Sequence, residues 1–181
     1  MIDKIQLYIN AITTLKQFGN VGLIILTDKS QSKQVSILSE VNEISGMNLF
    51  LKKSTSPENS LLSVLWKIIS MNTSCHYEVY VENVQKGKYQ VFLQNEDMTN
   101  RYELDPVGAM TLAAMADLPI YISYALFVRQ STDFNSEKGQ MSLPLNALNI
   151  TVLEHALHKA IDTEDYMMAS VIKKEIDNRK K

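Results

Sequence analysis

The stretch Tyr77-Glu78-Val79-Tyr80-Val81-Glu82-Asn83-Val84-Gln85-Lys86-Gly87-Lys88-Tyr89-Gln90-Val91-Phe92-Leu93 decides the fold. Tyr77, Val79 and Val81 recur at period two, the spacing that puts side chains on one face of a strand. Lys86-Gly87 supports a tight turn, and Tyr89, Val91 and Leu93 resume the same period, so the stretch reads as a β-hairpin. Beyond it, Asn95-Glu96-Asp97 makes another turn, and a third strand runs from Arg101 to about Leu104. Pro106 opens a helix carrying Ala109, Met110, Ala113 and Ala114. Pro119 breaks that helix before a strand at Ile120-Tyr121-Ile122.

The same order occurs upstream. Ile5, Leu7 and Ile9 alternate in a first strand, and Gly19-Asn20 is a turn signal. Val21 to Leu26 is a continuous apolar run suited to a buried strand, and Val35-Ser36-Ile37 makes a third. Ser39 is the expected N-cap of a helix from Glu40 to about Phe50, with Val41, Ile44 and Asn48 on one face. Ser56 and Pro57 are placed to start the next helix, in which Leu61, Leu62, Leu65, Ile68 and Ile69 form an apolar stripe. Trp66 falls off that stripe and is a candidate subunit contact. Two β-β-β-α halves in series predict an α+β domain with a mostly antiparallel or mixed sheet packed against helices.

Composition shifts after residue 130. Ser131 to Gly139 is polar and reads as the start of a linker spanning 131–148. Two helices follow, from Asn149 to Ile161 and from a cap at Asp162 or Thr163 to about Arg179. So short a turn predicts an antiparallel hairpin over 149–181. Its expected seam sets Leu153, Ala156, Leu157 and Ala160 against Tyr166, Ala169, Ile172 and Ile176. The expected organisation is thus a domain over 1–130, a linker, and a C-terminal α-helical hairpin.

Global properties narrow the function classes. The 181 residues carry a net charge of -2, with no basic excess of the kind that supplies most of a nucleic-acid binder's affinity. Nucleic acid is therefore a partner that charge does not support. No stretch approaches the ~20 apolar residues of a membrane span. The opening Met1-Ile2-Asp3-Lys4 lacks a secretory layout, and the single Cys75 can form neither an internal disulfide nor a thiolate metal site. A cytoplasmic protein without a membrane partner is expected. Edge strands and an apolar-faced hairpin also predict a homo-oligomer.

Two segments resemble known families. The run Leu153-x-x-Ala156-x-x-x-Ala160-Ile161-x-x-Glu164-Asp165-Tyr166-x-x-Ala169-x-x-Ile172-x-x-Glu175-Ile176-x-x-Arg179 resembles the UVR motif, a protein-interaction hairpin. Residues 4–130 resemble the bifunctional nuclease family, best over Gly87 to Leu93, Arg101 to Met110 and Leu118 to Ile122. Family members have a hairpin strand, an Asp-x-Arg-x-Ser-Asp-Ala-type motif opening a helix, and a Pro-Ile-Tyr strand. Many bacterial members carry a UVR segment after it, in the order found here.

The resemblance implies DNA or RNA phosphodiester hydrolysis with a divalent metal, Mg²⁺ or Mn²⁺. The candidate catalytic residues it implies are Glu103, Asp105 and Glu58, with Glu103 the candidate metal ligand. Glu103 stands at the motif's first Asp, and Asp105 at its Arg, reversing the charge. Pro106 stands where family members often have Pro or Thr. Val107 stands at the Ser and Gly108 at the second Asp. Glu58-Asn59-Ser60 stands where the family has Thr-His-Asp. Hydrolysis needs an activated water and positive charge on the developing phosphorane. These departures remove the Arg, a carboxylate and the imidazole together, so the resemblance implies a divergent member with weak or lost activity. The alternative is a non-catalytic adaptor acting through residues 149–181.

Other groups read more simply. His155 and His158 share a helix at i, i+3 with no evident third metal ligand. Cys75 and His76 are adjacent on a strand start and so point to opposite faces. Tyr77, Tyr80, Tyr89 and Phe92 suit base stacking or cross-strand packing equally by type.

Overall fold

The computed structural model describes residues 3–15, 21–51, 60–72, 75–85, 87–134, 145–148 and 150–179. The first half comprises β1 (Lys4–Leu15), β2 (Val21–Thr27), β3 (Lys33–Glu40), α1 (Val41–Leu51) and α2 (Leu61–Asn72). The second comprises β4 (Tyr77–Gln85), β5 (Lys88–Asn95), β6 (Arg101–Leu104), α3 (Pro106–Ala116), β7 (Ile120–Ser123) and α4 (Tyr124–Gln130). A two-residue strand β8 (Thr132–Asp133), a 3-10 turn at Leu145–Ala147, α5 (Ile150–Asp162) and α6 (Tyr166–Arg179) complete the chain. The fold is α+β, as the alternation predicts.

The strands form one mixed sheet in the order β6-β5-β4-β7-β1-β2-β3-β8. The two meanders lie on either side of β7, which is antiparallel to β1 and parallel to β4. The crossover through α3 permits the parallel pair. β2 is buried along its whole length, which accounts for its unbroken apolar run. Ile24, Leu26, Val35, Ile37, Val79, Val81 and Val91 from the strands meet Ile44 and Met47 of α1, Ala109 and Met110 of α3, and Leu126 of α4. Tyr89 ties the two meanders together: its hydroxyl donates to Ser36 O at 2.9 Å.

Several elements differ in detail from the sequence expectation. Ile44 and Met47 anchor α1, and Glu43 reaches back to the Glu40 N–H, a capping-box contact that Ser39 joins by donating to Glu43. α2 starts after Ser60, whose hydroxyl accepts from Ser63 N; Ser56 and Pro57 lie outside the described residues. Only Ser63 of α2 is buried, so its apolar stripe faces outward. Trp66 meets Tyr77 edge-on within the chain. α4 is an element that the apolar text after Pro119 conceals, and Ser123 caps it by accepting from Leu126 N.

Beyond residue 130, Thr132–Asp133 adds a strand to β3 where a linker was expected, and Lys33 pairs with Asp133 at 2.7 Å. Residues 135–144 lie outside the described residues. The helical hairpin forms, with Leu153, Ala156, Ala160, Ala169, Ile172 and Ile176 buried in its seam. Asp165, rather than Asp162 or Thr163, caps α6, its carboxylate accepting from Met168 N at 3.0 Å. That cap turns the chain so that Tyr166 points outward, 68% exposed, leaving Ala169 as the first seam residue of α6.

The hairpin is held to the sheet domain. Leu38 of β3 packs against its apolar cluster. Arg179 donates to Leu145 O at 2.9 Å and also to Leu148 O, while Glu175 accepts from its Nε at 2.8 Å. Gly87, at φ +79, turns the β4–β5 hairpin directly beneath these groups, where a Cβ would lie 2.9 Å from Leu148 O. Among the described residues, no helix is long and apolar enough to cross a membrane.

Candidate functional site

A cleft of about 1000 Å³ opens where the two halves and the helical hairpin meet. Its walls are the β3–α1 junction, Gln85, Gly87 and Lys88 beside the β4–β5 turn, the β6–α3 junction, and Ala147, Leu148 and Val152. Glu103 and Asp105, the two motif acids named from the sequence, both line it. Glu40 and Glu43 join them from the other half, an approach set by the packing of α1 against α3. The third acid named from the sequence, Glu58, lies outside the described residues.

Asp105 has a structural task. It is the N-cap of α3, in extended backbone geometry (φ -64, ψ 148), and its Oδ1 accepts from Gly108 N at 2.7 Å. Pro106 follows at the first helical position, where its missing N–H costs nothing. Glu43 is likewise occupied in capping α1. Glu103 sits exposed on edge strand β6, opposite Phe92. Arg101, two residues away on the same strand, lies over the Phe92 ring at 3.7 Å and pairs with Glu82 at 2.7 Å.

These residues do not make a fitting Mg²⁺ or Mn²⁺ site. Among the described residues, no three His, Cys, Asp or Glu side chains gather as a metal would require. Two of the four cleft acids are engaged in helix caps. The described lining residues include one cation, Lys88, against Glu40, Glu43, Glu103 and Asp105. Such a lining repels a phosphodiester rather than drawing it in.

Gly108 stands where the motif that this stretch resembles has an acid, and its surroundings bear on that difference. A Cβ at this position would lie 2.5 Å from Asp105 Oδ2, so the cap and a side chain at 108 compete for one space. An acid at 105 and glycine at 108 form a matched pair.

The other sequence candidates fall elsewhere. His155 and His158 are exposed on α5, and Cys75 is an exposed free thiol. Tyr80 and Tyr89 are buried, which leaves neither ring open for base stacking. Burial pushes the Tyr89 hydroxyl strongly upward in pKa against the hydrogen bond with Gln130. Glu40 and Glu43 could not be singled out from sequence, since only the packing of α1 against α3 brings them to Glu103. No protein-family model matches the chain, and no curated protein matches it.

Proposed function

We propose that the chain is a cytoplasmic interaction protein, built on a divergent bifunctional-nuclease-type domain with weak or lost hydrolysis, and docking through the UVR-like hairpin of residues 149–181. The observation that carries this reading is the outer tip of that hairpin. Ile161, Tyr166, Met167, Met168 and Val171 are exposed there, Met167 by 85%, although the seam beneath has its own buried apolar set. Apolar side chains grouped outside a completed seam are a docking surface by physical character. The two adjacent methionines adapt to varied partner shapes.

Charge narrows the partner. Asp162, Glu164 and Asp165 are exposed at the same tip. The surface therefore fits a protein presenting an apolar pocket rimmed by Lys or Arg. The cleft lends support from the other side: its acidic lining and its capping acids disfavour phosphodiester chemistry.

The experiment is affinity capture from a cell extract with the full chain, compared with Met167→Glu and Val171→Glu. Loss of the same captured protein by both variants, with Glu103→Gln still capturing it, is expected. Equal capture by wild type and tip variants contradicts the reading.

A further inference from the structure

The exposed face of α2 has no role in the hairpin or the cleft. Leu61, Val64, Leu65, Ile68 and Met71 are all exposed, Leu61 by 75% and Met71 by 82%. They recur at three- and four-residue spacing along one helix, Leu61–Asn72, whose single charged residue is Lys67. The helix is fixed from beneath, where Ser63 donates to Met115 Sδ of α3 at 3.1 Å and Trp66 meets Tyr77. The stripe thus has a defined orientation away from the core.

We infer that this face packs on α2 of a second copy of the chain, making a homodimer. Two arguments select a copy of itself as the occupant. The first is charge: among its described residues α2 has no acid and one lysine, which offers little to a charged partner, whereas a second α2 is apolar along the same length. The hairpin tip, rimmed by three acids, lacks this self-complementarity. The second is area. The fractional exposures leave on the order of 500 Å² of apolar side-chain surface on one helix face, the upper range for a monomer. Pairing two such faces hides up to about 1,000 Å², where specific interfaces begin. A two-fold relation lets the same residues serve both partners. The sheet edges contribute little, because β6 has four residues and β8 two.

The test is light scattering coupled to size exclusion on the full chain, over a concentration series. Wild type is expected at twice the 20.5 kDa chain mass. Leu65→Glu and Ile68→Glu are expected at the single-chain mass, with dissociation constants raised more than about tenfold. Met167→Glu is expected to remain dimeric. Both α2 positions are exposed on the single chain, so the circular dichroism of the folded variants should match wild type while the thermal midpoint falls with the lost dimer; Leu65→Ser replaces either variant that fails to fold. A monomeric wild type, or dimers that persist in both α2 variants, overturns the inference. So does a monomer that binds phosphatidylcholine vesicles through α2, since the occupant is then a lipid surface.

Discussion

Asp105 Oδ1 accepts from the Gly108 amide at 2.7 Å, and a Cβ on residue 108 would stand 2.5 Å from the other oxygen of the same carboxylate. One local interaction thus couples two positions at which this stretch differs from the motif it resembles. The acid at 105 starts α3, and the glycine makes room for it.

A double-mutant cycle tests this pairing. Asp105→Ala should cost about 1 kcal/mol through loss of the cap. Gly108→Ala should gain about 0.5–1 kcal/mol from helix propensity in the Asp105→Ala background. In wild type that gain should be cancelled, because the methyl displaces the capping carboxylate. The coupling is read from urea unfolding, and additive effects would mean that the two residues do not compete.

Tyr89 supplies a second prediction. Its hydroxyl, buried among core residues, donates to Ser36 O at 2.9 Å and stands 3.2 Å from Gln130 Oε1. Tyr89→Phe leaves the ring packed but orphans buried acceptors, so a loss of about 1–3 kcal/mol is expected. Chemical denaturation showing no change would mean that water reaches Ser36 O.

Arg179 should govern how the helical hairpin sits. Arg179→Ala removes its bonds to Leu145 O, Leu148 O and Glu175 at once. Hydrogen exchange should accelerate across residues 150–179 and around Leu148, with β2 and β4 unchanged. Acceleration spread evenly over the whole chain would make the hairpin part of one cooperative unit with the sheet.

Acid stability carries the fourth prediction. Partial burial pushes the Asp28 carboxyl up, but hydrogen bonds from Lys33 N, the Ser30 and Ser32 hydroxyls and Ser32 N outweigh it and hold the pKa at about 2, from 3.8. A depressed folded-state pKa adds stability that is present above 3.8 and lost as pH falls through about 2. Asp28→Asn should therefore be less stable than wild type near neutrality, and the gap should close between pH 4 and 2. A gap that does not change with pH would assign the effect to geometry instead of charge.

Much of the fold is legible in the sequence because its signals are local. The period-two runs of β4 and β5, Pro106 at a helix start and Pro119 after a helix end each act within a few residues. α2 and α6 show the limit of periodicity, which finds a stripe but not what it faces. The stripe of α2 faces outward, and Tyr166 leaves the seam because Asp165 sets the cap. α4 was hidden because Tyr124 to Val128 continues the apolar run of the Ile120–Ile122 strand, with Ser123 the only punctuation between them. In the cleft, the motif located Glu103 and Asp105. Glu40 and Glu43 reach them only through the long-range packing of α1 on α3.

Under the proposed function, this cleft lacks phosphodiester chemistry and the hairpin is the working surface. The direct test is incubation of the purified full chain with single- and double-stranded DNA and RNA, with Mg²⁺ or Mn²⁺, beside Glu103→Gln. No cleavage above background and no difference between the two proteins are expected. Metal-dependent cleavage by wild type, abolished in Glu103→Gln, would contradict it.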